Sequence, residues 1–384
     1  MASQARRNRT KRIVQAVVSL ALVVGIFAFA FPQFADYGDV WTEITAMTGI
    51  EVATLLLVAL WNLVTYWFVL TAVLPGLTYP QAAVSNQAST AVANTLPGGG
   101  AIAVGVTYAM YSSWGFTKTQ FALAAVVSGV WNTFVKLGMP VLALALLALE
   151  GGITAGRVLA AVAGIGVLTA SLVVWGLFLY RSALARRIGA FFGRLISRMR
   201  GWVGKSPVSD WGQAAVKFRA DTLGLLRTRW LRLTIATLIS HISLYIVLLV
   251  TLRHVGVGAD VLSWIEVLAV FAFVRLISAL PLTPGGVGVV ELGLTVGLQV
   301  AADLDAVDSS IAAAVLVFRA ITFVLPIPLG AIAYLFWRGN TSWRKSVPNG
   351  NQVDERAGDD SEAGSADDVE RQVSADVDAE RPGE

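Results

Sequence analysis

Four ionisable side chains, Lys136, Arg275, Glu291 and Arg319, interrupt stretches that are otherwise apolar. Two such stretches also carry proline-glycine punctuation, at Leu96-Pro97-Gly98-Gly99-Gly100 and Leu280-Pro281-Leu282-Thr283-Pro284-Gly285-Gly286. The chemistry these types and spacings offer is reception of an anion. Helical arms that restart at Gly98 to Gly100 and at Gly285 to Gly288 leave unpaired N–H groups and a positive helix end at each turn. Glycine lets anionic oxygens approach the backbone, and proline stops the incoming arm without leaving a buried donor. Lys136, Arg275 and Arg319 would add positive charge in the same layer. Glu291 would hold an arginine or take up a proton. The alternative is an Arg275–Glu291 ion pair that only locks the second turn.

The elements that must position these groups are membrane spans. With 56% hydrophobic residues, 14% charged residues and a mean hydropathy of +0.68, the chain has the composition of an integral membrane protein. Apolar runs long enough for a hydrocarbon core of ~30 Å cover residues 13–34, 52–73, 120–149, 154–180, 231–252 and 309–336. Paired arms flank the two punctuated turns, 80–97 with 98–115 and 262–283 with 284–302. Arg275 lies about 20 Å along its arm at ~1.5 Å per residue, and Lys136, Glu291 and Arg319 are similarly remote from the headgroups. Charged groups are costly there, about 2.5–3.5 kcal/mol on insertion scales, and mark function by default. A broken helix is tolerated at that depth only where protein or a polar cavity surrounds it.

Basic residues set the orientation. Arg6, Arg7, Arg9, Lys11 and Arg12 make residues 1–12 a cytoplasmic N-terminus, and residues 181–232 carry twelve basic and two acidic side chains. Threading the chain then puts 35–51 and 301–308 outside and the C-terminus inside. Span, broken hairpin, span occurs twice with three crossings between the hairpins, so the second unit is inverted and the two turns can meet near the midplane. The expected fold class is an all-α polytopic bundle of two inverted repeats, an architecture many secondary transporters share. The expected domains are a membrane domain over 13–337, with a basic cytoplasmic loop at 181–230, and a disordered acidic tail over 338–384. Residues 351–384 of that tail have twelve acidic against three basic side chains. Ala28-Phe29-Ala30 also permits a cleavable signal, although the run to Phe34 is long enough for an uncleaved anchor.

Other polar residues have weaker readings. Ile188, Phe191, Phe192, Leu195, Ile196 and Met199 recur at helical spacing among arginines, as in a helix lying on an anionic leaflet or packed on the bundle. His241, beside Ser240 and Ser243, reads as interhelical hydrogen bonding rather than a proton relay. Asn62, Asn86, Gln87, Asn94 and Asn132 line a polar path or serve as interhelical glue. Glu266 is an access-side carboxylate or a rim charge, and Trp41, Trp61, Trp114 and Trp337 include interface anchors.

Several classes are excluded or disfavoured. The chain has no cysteine and only two histidines, so thiolate chemistry and a multi-histidine metal site are not expected. No Ser-His-Asp, zinc-ligand or paired-carboxylate pattern appears, and no GxxxxGK[ST] segment, so neither an enzyme nor an ATP-driven transporter is expected. No cofactor and no nucleic-acid partner is implied.

The stretch Leu280 to Glu291, LPLTPGGVGVVE, with Arg275 upstream and Arg319 in the next helix, strongly resembles the lysylphosphatidylglycerol synthase transmembrane region, the flippase-like family. The resemblance covers roughly residues 13–336. Asn94 to Gly100 and Tyr108 to Phe116 look like the family's actinobacterial members. The resemblance implies a multi-pass protein of the bacterial plasma membrane that moves an anionic phospho- or polyprenyl-phosphate lipid between leaflets. A supporting role, as scaffold for a cell-envelope lipid-modifying enzyme or glycosyltransferase, is the alternative. Bifunctional members continue into a soluble aminoacyltransferase domain; residues 338–384 resemble no such domain, so aminoacyl-lipid synthesis is not expected. Many members also carry a charged residue just after the first Pro-Gly, where Ala101 to Met110 has none. On this reading Arg275, Arg319 and Lys136, with Gly98, Gly99, Gly100, Gly285 and Gly286, receive the lipid phosphate, and Glu291 is their charge partner.

Overall fold

A computed structural model describes residues 37–96, 99–151, 155–201, 206, 210–279, 283–303 and 309–345. The first expected span, 13–34, the basic N-terminus and the segment 346–384 lie outside the described residues, as do Pro97, Gly98 and Leu280 to Leu282. Every regular element among the described residues is helical. In chain order they are α1 (Tyr37–Ala46), α2 (Gly49–Val73), α3 (Tyr79–Thr95), α4 (Gly99–Ser113), α5 (Lys118–Leu149), α6 (Ala155–Tyr180), α7 (Ser182–Gly201), α8 (Trp211–His254), α9 (Trp264–Ile277), a 3₁₀ turn (Pro284–Gly286), α10 (Val289–Ala301), α11 (Ser309–Arg319), a π turn (Ala320–Val324) and α12 (Pro326–Gly339). Among the described residues five apolar segments are long enough to cross a membrane: α2, α5, Val158–Tyr180 of α6, α8, and α11 with its continuation into α12. The most apolar window of α6 has no buried residue, as suits a helix facing lipid.

Local sequence starts these helices where a polar cap meets an apolar run. Thr48 with Glu51, Thr78 with Gln81, Thr117 with Gln120 and Ser263 with Glu266 form capping boxes. Each satisfies two end N–H groups that lipid or a tight turn would leave unpaired. The segment 35–51, expected as an outside loop, contains α1, whose Ile44 packs, with Met47 just beyond the helix, against the core around the second hairpin.

Helices α2 and α8 are antiparallel. His254 Nε2 lies 2.7 Å from Thr54 Oγ1, Asn62 donates to the Ser240 carbonyl at 3.3 Å, and Arg229 to the Thr71 carbonyl at 3.2 Å. The stretch of α8 from Arg232 to Arg253 is about 32 Å long at ~1.5 Å per residue, close to the hydrocarbon thickness. The rest of α8 projects beyond it. Within the expected basic loop, α7 and the first part of α8 are docked together, so the helix expected there packs on another helix. Ala185, Gly189 and Gly193 recur every four residues on one face of α7, and the glycines admit Trp211 and Ala215 too closely for any Cβ. Phe191, Phe192 and Leu195 stay exposed on another face.

The two hairpins, α3–α4 and α9–α10, have their bases at opposite ends of the Arg232–Arg253 stretch of α8. Arg232 donates to the Tyr79 hydroxyl at 3.2 Å at one end, and at the other Arg253 donates to the carbonyl of Leu262, just before α9, at 2.7 Å. Each hairpin has its own core. The first collects α2, α3, α4, the start of α5 and Leu225, Leu233 and Ala236 of α8; the second collects the end of α5, the end of α8, α9, α10 and α11. Helix α12 crosses α3 at Gly330, whose missing side chain leaves room for Gln87 and Ala91. Packing continues past the expected boundary at 337. Trp343 lies edge-on to Trp114, and Lys345 N–H donates to the Ser113 carbonyl at 2.9 Å. Residues 338–345 therefore belong to the bundle, because aromatic contacts and a backbone bond hold them to the α4–α5 turn.

Candidate functional site

A cavity of about 560 Å³ lies inside the first half of the bundle. Its wall comes from α2 (Asn62, Tyr66), α3 (Ser85, Asn86, Ser89, Thr90), α4 (Gly100, Thr107, Tyr111), α5 (Ser128, Asn132) and α8 (Ser240, His241). The second hairpin contributes Arg275, in the last turn of α9. There the negative end of the helix dipole favours a cation. Among the described residues no carboxylate lines the cavity.

Arg275 has no ion-pair partner among the described residues, and its Nε is buried without a hydrogen bond. Arg319 and Lys136, both positive, lie within electrostatic range of it. Lys136 does not line the cavity but acts electrostatically on both Arg275 and His241. His241 turns Nδ1 to the Thr237 carbonyl at 3.0 Å. The region thus carries unpaired positive charge in a largely apolar chamber dotted with hydroxyl and amide groups. Burying a cation unpaired is costly, and an anion relieves that cost.

The turn of the second hairpin is arranged differently. Glu291, 3% exposed, accepts from Arg319 Nε and from Gly288 N–H, both at 2.7 Å. Arg319 also donates to the Gly285 carbonyl at 3.2 Å and lies over the Phe323 ring, 4.5 Å from its centroid. The positive end of α10 therefore holds the chain's own carboxylate. The helix starts at Val289 with Gly288 as its cap, later than the expected start at the glycines. Gly285 has φ 61° and sits against the Phe323 ring, where a Cβ would collide. The expected span 309–336 also changes form beyond Arg319. Pro326 has no N–H to give, and the Leu325 N–H reaches back to the Ala320 carbonyl at 2.8 Å, a π turn. The first hairpin reaches this turn, where Asn94 at the end of α3 donates to the Phe323 carbonyl at 3.0 Å.

The expected residues therefore fall into separate groups. Arg275 and Gly100 line the cavity, with His241, Asn62, Asn86 and Asn132. Arg319 and Glu291 pair with each other, so the ion pair that locks the turn is Arg319–Glu291 rather than Arg275–Glu291. Gly285 and Gly286 build that turn; Gly286 N–H donates to the Thr283 carbonyl at 3.1 Å. Gly99 N–H donates to the Leu96 carbonyl at 2.7 Å, and a Cβ there would meet the carbonyls of Val92 and Ala93. Gly98 lies outside the described residues. Asn94 ties the first hairpin to the π turn, Gln87 accepts from Asn86, and Glu266 caps α9. Tyr66, Ser85, Ser89, Thr90 and Thr107 were not singled out from sequence. For Ser85, Ser89 and Thr90 the signal was the run Ser85-Asn86-Gln87-Ala88-Ser89-Thr90, too polar for a lipid-facing arm. Among the described residues no group of His, Asp and Glu is placed to hold a metal ion.

No curated protein matches the chain. Residues 16–330, however, match the family described as Lysylphosphatidylglycerol synthase TM region. The match takes in both hairpins and every helix that bounds the cavity, and it covers well over half of the 384 residues. The chain is therefore a multi-pass membrane protein that belongs to the lysylphosphatidylglycerol synthase TM region family.

Proposed function

We propose that the protein translocates an anionic lipid between the leaflets of a bacterial plasma membrane, receiving its phosphate at Arg275 inside the cavity. The observation that carries this reading is a half-buried Arg275 whose Nε is buried without a hydrogen bond and which has no ion-pair partner among the described residues, in a chamber that also carries hydroxyl and amide groups. A phosphate supplies the missing charge and accepts several donors at once. Lys136 reinforces the field without needing direct contact, whereas Arg319 is neutralised by Glu291. The hairpin bases at opposite ends of the Arg232–Arg253 stretch of α8 support alternating access, in which the hairpins shift against each other around a shared site. This role needs no catalytic step.

The test uses the full chain in liposomes carrying a fluorescent anionic lipid, with bleaching of the outer leaflet as the readout. Wild-type protein speeds exchange between leaflets, and Arg275→Gln lowers the rate at least ~10-fold, equivalent to ~1.4 kcal/mol. Wild-type exchange by a folded Arg275→Gln protein sinks the reading.

A further inference from the structure

The cavity contains one polar group that phosphate reception leaves unused. His241 is 5% exposed, lies in the span of α8 and lines the chamber that holds Arg275. Its Nδ1 is 3.0 Å from the Thr237 carbonyl, an oxygen that can only accept, so Nδ1 carries the ring proton. Nε2 then presents a lone pair. It is buried and has no hydrogen-bond partner among the described residues. A buried acceptor without a donor is rare in native proteins and points to a missing partner.

The surroundings restrict that partner. Arg275 and Lys136 both lie within electrostatic range of His241, so a cationic ammonium donor would be repelled. The nearby Asn62 amide is already committed to the Ser240 carbonyl at 3.3 Å. We propose that His241 Nε2 accepts a hydrogen bond from a neutral hydroxyl on the lipid headgroup. The site thereby selects hydroxylated anionic lipids over lipids of equal charge that lack a hydroxyl. This rests on the reading of the cavity as a lipid-phosphate site, with Arg275 binding the phosphate and His241 reading what the phosphate carries. A site built to bond a hydroxyl discriminates strongly against an analogue without one, because its own polar group is then left unpaired.

The test compares phosphatidylglycerol with phosphatidylpropanol of the same acyl chains, equal in charge but differing in the headgroup hydroxyls. Each lipid competes with a fluorescent anionic lipid for the full chain in nanodiscs. The expected result is about 10-fold tighter binding of phosphatidylglycerol to the wild type, or ~1.4 kcal/mol. His241→Phe lowers phosphatidylglycerol to the level of phosphatidylpropanol and leaves the latter unchanged. His241→Gln, which can present an amide oxygen in the same direction, keeps part of the preference. Arg275→Gln weakens both lipids alike. Equal binding of the two lipids by wild-type protein overturns the inference and needs no variant to fold. Equal weakening of both by His241→Phe also overturns it, since His241 would then act on the phosphate. Failure of both lipids to compete with the wild type instead removes the phosphate site itself.

Discussion

The two hairpins share an order of parts but use their polar groups in opposite ways. In the first, α3 turns Ser85, Asn86, Ser89 and Thr90 toward an open chamber, and Gly100 faces space with nothing within 4 Å of a Cβ position. In the second, Glu291, Arg319 and the glycine turn satisfy one another, and the Phe323 ring closes over Gly285. The second hairpin sends one group, Arg275, out of its own packing into the chamber of the first. Rigidity and reception are thus divided. A closed ion pair anchors one turn, and the cation left outside that pair is free to meet a guest.

Substitutions can break this contrast. The largest effect is expected at Glu291. Glu291→Ala strands Arg319 in a nearly buried site and uncaps α10, costing about 3–5 kcal/mol, read as a fall in thermal stability of the purified protein. A double variant, Glu291→Leu with Arg319→Met, recovers most of that loss, because apolar groups of similar size replace a buried pair at little cost. Arg275 should behave in the reverse sense. Arg275→Met removes a charge that nothing pairs, so stability rises by about 2 kcal/mol, within the usual penalty for a charge at membrane depth, while lipid exchange is lost. A destabilised Arg275→Met protein would mean that the guanidinium has a structural partner and that the division is false.

The glycines give smaller and equally opposed effects. Gly285→Ala forces a Cβ onto a residue at positive φ against Phe323 and is expected to cost about 1–2 kcal/mol, measured by thermal unfolding. Gly100→Ala, in a helix and facing open space, should gain roughly 0.5 kcal/mol from reduced chain freedom. It should slow lipid exchange only where the added methyl narrows the chamber. Equal responses at the two glycines would show that the turns are equivalent after all.

Much of the architecture was readable from composition and spacing. The spans 52–73, 120–149 and 154–180 fall within a residue or a few of α2, α5 and α6, since a ~30 Å apolar core fixes helix length. The arms of both hairpins were readable because Pro-Gly punctuation stops helices in any context. The docking of α7 on α8 was less legible. Its inner face is made of Ala185, Gly189 and Gly193, small residues that give no hydropathy signal, whereas the phenylalanines that dominate the pattern point away.

Arg275, Arg319, Lys136 and Glu291 were marked as functional by their type and depth alone, for charge in an apolar run is expensive wherever it occurs. Which arginine Glu291 holds was decided only by the tertiary structure, because the choice depends on how α9, α10 and the π turn after α11 are rotated about their axes. That rotation is set by side-chain packing across the whole bundle. A short window of sequence fixes how much charge must be accommodated and at what depth; only the packed fold decides which charge is neutralised and which is left to bind.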